Sequence, residues 1–131
     1  MAVQPLLAAA SLLAVITGVV HSLLGERLIF RHVRSGSVVP SLSAPPLQAR
    51  HIRILWATWH LASVLAWAFA GLLWQVARDP SAITGHAVLA AAAGGFAASS
   101  LLVLVATRGR HPGWVALGTV GILSWVALGA A

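Results

Sequence analysis

The segment AVLAAAAGGFAA, Ala87–Ala98, decides the fold. It carries no charge, so nothing in it favours water. It shows no alternation of polar and apolar residues, the pattern a membrane-spanning β-strand needs. Apolar chain in lipid can close all its backbone hydrogen bonds within one segment only as a helix. Its apolar flanks, from about residue 83 to 106, bring it to the roughly 20 residues that a bilayer crossing takes.

Three more segments of the same kind lie at about residues 6–29, 52–76 and 114–130. The stretch from about 31 to 50 contains Pro40, Pro45 and Pro46 and reads as a loop. Arg78-Asp79-Pro80 and Arg108–Gly113 read as short turns. The expectation is an all-α, integral membrane, up-down four-helix bundle forming a single domain. Composition agrees: of 131 residues, 60% are hydrophobic and 8% charged, whereas a soluble domain carries roughly a quarter charged residues. Residues 1–5 bear no basic side chain, so the first span is expected to remain in the mature chain rather than leave as a signal peptide.

All eight basic residues are arginine. Arg27, Arg31, Arg34, Arg50 and Arg53 flank or occupy the first loop, Arg108 and Arg110 the third, and Arg78 stands beside Asp79 in the second. This bias predicts a cytoplasmic (inner) membrane protein with loops one and three cytoplasmic and both termini outside. The net charge of +6 then serves topology and contact with the lipid bilayer, not nucleic acid. Trp56, Trp74 and Trp114 fall where interface-anchoring indoles are expected. With no cysteine, thiolate metal sites, thioether-linked haem and a cysteine nucleophile are excluded. The G-x-S-x-G, His-Glu-x-x-His and phosphate-loop patterns are absent.

Polar side chains inside an apolar span are costly and mark candidate functional positions. Counting from the nearest arginine, His21 lies about 9 Å deep and His60 roughly 10 Å. Ser99, Ser100 and Thr119 fall at about 12–13 Å, and Thr17 and Ser63 continue the helix faces of His21 and His60. The expectation is a polar layer centred on His21 and His60. It would bind a transition metal through His21, His60 and Glu26, or haem through His21 and His60 with Arg53 or Arg27 on a propionate. Otherwise it would carry electrons or protons. Glu26 is expected to pair with Arg53 or Arg50, with His51 able to join. The alternatives are a non-catalytic membrane subunit packing against a larger complex and, third, a small transporter. The small residues Ala91, Gly95 and Ser99 recur every four positions and predict a close helix contact, within the bundle or across a homo-oligomer.

Overall fold

The computed structural model describes residues 3–79, 81 and 84–130. It contains four long helices: α1 (Pro5–Leu28), α2 (Ala49–Arg78), α3 (Gly85–Thr107) and α4 (Gly113–Ala130). A single 3-10 turn, Phe30–Val33, follows α1. The first three helices are long and apolar enough to cross a membrane. The fourth has 18 residues, about 27 Å of rise, close to the thickness of a hydrocarbon core.

Local chemistry sets the helix ends. Pro5 opens α1, where its missing N–H is no loss. Gln48 and His51 form a reciprocal capping box at the start of α2. That cap carries the helix back to Ala49, three residues before the apolar span begins. Thr84 accepts from Ala87 N–H at the start of α3. At its end Arg108 adopts φ 53°, Gly109 adopts φ 72°, and Gly109 N–H bonds Leu104 carbonyl. The expected start of the third span, at residue 83, lies outside the described residues.

The helices pack in chain order, α1 on α2, α2 on α3 and α3 on α4. Among the described residues α1 and α4 have no extensive packing, so the bundle is an open row rather than a closed ring. The best-buried cluster, Phe30, Trp56, Ala57, Val103 and Ala106, sits at the end where α1 exits and α2 enters. Seven of the eight arginines, all but Arg78, belong to that same end. Gly95 faces α2: a Cβ there would lie 3.2 Å from Ala68 Cβ. Gly95 and Ser99 are buried within the chain, so this part of the small-residue stripe is occupied by the chain itself.

Candidate functional site: a carboxylate–imidazole–hydroxyl chain between α1 and α2

Ser22 and Glu26 lie four residues apart on α1 and therefore share a face. Trp56, His60 and Ser63 share a face of α2 for the same reason. The two faces meet. Glu26 Oε1 accepts from Trp56 Nε1 at 2.5 Å and pairs with His60 Nε2 at 2.9 Å. Glu26 Oε2 pairs with Arg34, which returns to it from the loop after the 3-10 turn. On the other side of the ring, His60 Nδ1 lies 2.9 Å from Ser22 Oγ, and Ser22 Oγ donates to Ser63 Oγ at 2.9 Å. A hydrogen-bonded chain of five side chains thus runs from Arg34, through Glu26, His60 and Ser22, to Ser63. Ser63 is 2% exposed, whereas the Arg34 and Glu26 side chains are each 26% exposed.

The two serine hydroxyls can each donate or accept, and the roles of the His60 ring nitrogens follow its tautomer. With a proton on Nδ1, His60 donates to Ser22 and Ser22 to Ser63. With Nδ1 bare, Ser22 donates to His60 and Ser63 can donate to Ser22. A change at Nδ1 therefore reverses the direction of every hydroxyl bond in the chain.

Two tryptophans hold the helices at this separation. Trp59 Nε1 donates to His21 carbonyl at 2.9 Å and Trp67 Nε1 to Val15 carbonyl at 3.2 Å. Each indole lies over a glycine of α1: a Cβ on Gly25 would collide with Trp59, and one on Gly18 with Trp67. The absence of side chains there lets the indoles reach backbone carbonyls.

The expected site residues separate into two groups. Glu26 and His60 are in direct contact. Ser63 joins them through Ser22, and Ser22 itself was missed. The sequence signal was the Ser22-x-x-x-Glu26 spacing, which outweighs the depth match of His21. His21 lies on another face of α1 and stacks flat on Trp59, with centroids 4.3 Å apart and planes 7° apart. Its Nε2 is buried without a hydrogen-bond partner. The His21 ring borders a groove of about 560 Å³ shared with Phe30, Val33, Leu47 and Trp59. Among the described residues no hydrogen bond or ring contact joins the two imidazoles.

Several expectations are corrected. Glu26 pairs with Arg34, not with Arg53 or Arg50. Arg53 Nε instead donates to Pro40 carbonyl, and Arg50 Nε lies beside His51 Nε2. The reason is reach: the 3-10 turn folds the chain back over the end of α1, where Arg34 meets Glu26 within one segment. His51 is held in the α2 cap instead of the Glu26 cluster. Trp56 is not an interface anchor but a 7% exposed donor to the carboxylate. The remaining layer does not converge. Thr17 and Thr119 are exposed, and Thr119 bonds Val115 carbonyl in its own helix. Ser100 donates to Trp114 carbonyl, and Ser99 Oγ is buried without a partner.

Among the described residues no three histidine or acidic side chains cluster as a metal site would require. Both ring nitrogens of His60 are engaged, and His21 lies against an indole face. A metal or haem would have to break one of those hydrogen bonds to use His60. No family model, curated protein or solved structure matches the chain.

Proposed function

We propose that this is a small multi-pass membrane protein whose Glu26–His60 pair carries protons between the arginine-rich membrane boundary and the interior of the α1–α2 seam. The observation that supports this reading is the continuous chain Arg34–Glu26–His60–Ser22–Ser63, whose hydroxyls reverse when one proton moves. Histidine is the side chain that changes charge most readily near neutral pH. A carboxylate on one nitrogen and a rotatable hydroxyl on the other are what a proton-transfer imidazole needs. In this reading the arginine-rich end faces the cytoplasm of a cell with an inner membrane, and both termini lie on the other side.

The test is proton movement across sealed vesicles that contain the purified chain and an internal pH-sensitive dye. The wild type is expected to dissipate an imposed pH gradient faster than empty vesicles. Glu26→Gln and His60→Phe are expected to bring the rate back to that of empty vesicles. Wild-type vesicles as tight as empty ones would reject the relay.

A second reading, a non-catalytic subunit that packs against a larger complex, is favoured by one observation. Every polar group from Glu26 to Ser63 finds its partner inside the chain, as structural glue would. It predicts that the same two variants lose stability while vesicles stay tight throughout.

A further inference from the structure

The chain has only two acidic side chains, Glu26 and Asp79. Glu26 is taken by Arg34 and His60. Asp79 caps the far end of the 30-residue α2, about 40 Å from its first turn. The remaining arginines of the crowded end thus have no carboxylate to meet.

Three of them converge. Arg50 and Arg53 from the first turns of α2, and Arg110 from the turn between α3 and α4, line one cavity of about 280 Å³ with Ile54, Thr107 and His111. Arg53 is steadied through Nε by Pro40 carbonyl at 3.3 Å, a bond that uses none of its terminal guanidinium nitrogens, and Arg50 Nε lies 3.3 Å from His51 Nε2. His111 Nδ1 accepts from Gly113 N–H at 3.0 Å, which places the ring proton on Nε2 and makes that atom a donor. Thr107 gives its hydroxyl proton to Val103 carbonyl, so it shapes the wall without donating into the cavity. The α2 N-terminus adds the positive end of a helix dipole. Three cations brought from two chain segments into one pocket repel one another unless an anion joins them.

We infer that the Arg50–Arg53–Arg110 cavity binds a phosphate ester, with the guanidinium groups forking onto its oxygens and His111 donating from the side. Planar guanidinium groups match phosphate oxygens two at a time, which ammonium groups do not. The site lies where α2 and α3 would leave a bilayer, at the depth of headgroup phosphates. The same chemistry is offered by an anionic phospholipid and by a soluble phosphate monoester. This site shares no residue with the Glu26–His60 chain and stands or falls independently of the proton relay.

The experiment follows thermal unfolding of the full chain in neutral detergent by tryptophan fluorescence. The probes are dioctanoyl phosphatidylglycerol, dioctanoyl phosphatidylcholine and glycerol 3-phosphate. Phosphatidylglycerol is expected to stabilise the wild type saturably, and more than phosphatidylcholine does. Arg110→Gln, on an exposed turn, is expected to weaken the apparent affinity about tenfold, as is Arg50→Gln. Arg31→Gln, outside the cavity, should leave it within about twofold. Saturation by glycerol 3-phosphate with the same variant dependence assigns the site to a soluble ester. Its failure, with phosphatidylglycerol binding intact, assigns the site to lipid. The inference is overturned if neither anion saturates, if phosphatidylcholine equals phosphatidylglycerol, or if Arg31→Gln weakens binding as much as Arg110→Gln.

Discussion

The α1–α2 seam and the α3–α4 seam join helices of similar apolarity by opposite means. Along α1–α2, polar atoms bond across the seam at every level. Gln4 N–H meets Ala77 carbonyl at 2.8 Å, Ser11 Oγ meets Ala70 carbonyl at 2.8 Å, and the indoles and the Glu26 chain continue to the other end. Along α3–α4 the helices approach through small residues. Gly121 sits on the Ala93 and Ala97 backbone, Gly118 on Ser100, and one bond, from Ser100 to Trp114 carbonyl, crosses. Lipid gives apolar side chains no reason to leave it, so helices in a bilayer associate by close packing or by polar bonds. This chain uses one device per hairpin. The lesson is that among the described residues the polar side chains held against one another are concentrated at the first seam.

Substitutions separate the two devices, and denaturation in mixed micelles, followed by tryptophan fluorescence, reads each of them. The largest effect is expected from Gly25→Leu, which drives a side chain into the space of Trp59 and parts the seam, at about 3 kcal/mol or more. A loss no greater than that of an exposed leucine substitution would mean that Trp59 swings away freely. Next comes Glu26→Gln, which leaves Arg34 and the His60 chain without their anion and should cost about 1–3 kcal/mol. Arg31→Gln, whose guanidinium among the described residues hydrogen-bonds the neighbouring His32, should cost far less. Equal losses would show that Glu26 behaves as a solvated surface group.

Ser100→Ala removes the single bond across the second seam and is expected to cost about 0.5–1.5 kcal/mol. A cost as large as that of Glu26→Gln would erase the contrast between the seams. The smallest change is expected for Gly121→Ala. Its new Cβ would stand 3.2 Å from Ala97 N, a tight contact offset by a helix-propensity gain of up to about 1 kcal/mol. A strong destabilisation there would show that the second seam tolerates no added atom and is as specific as the first.

The helices were legible because lipid imposes a simple rule on apolar runs, and segments such as Ala87–Ala98 obey it without exception. Their ends were less legible. The capping box of Gln48 and His51 extends α2 into what composition marks as loop, since capping is a matter of two residues and not of hydropathy. The candidate site was half legible. Depth along a helix follows from counting, and it put His60 level with His21, whereas the side chain that His60 meets is Glu26. Azimuth follows only from spacing on a shared face, and there Ser22, four residues from Glu26, carried the information that His21 did not. Arg34 was out of reach because its position depends on the turn of Phe30–Val33, which no periodic pattern announces.

The open row of helices has a consequence for biosynthesis. Each helix rests on its neighbour in the chain, and among the described residues α1 has no extensive packing on α4, so the principal helix contacts are complete once the next span has arrived. Chains rich in such short-range contacts close small loops only and assemble quickly. The N-terminal hairpin, with its Trp59 and Trp67 latches and its Glu26 chain, can lock while α3 and α4 are still being made. The α3–α4 hairpin then adds to a finished edge.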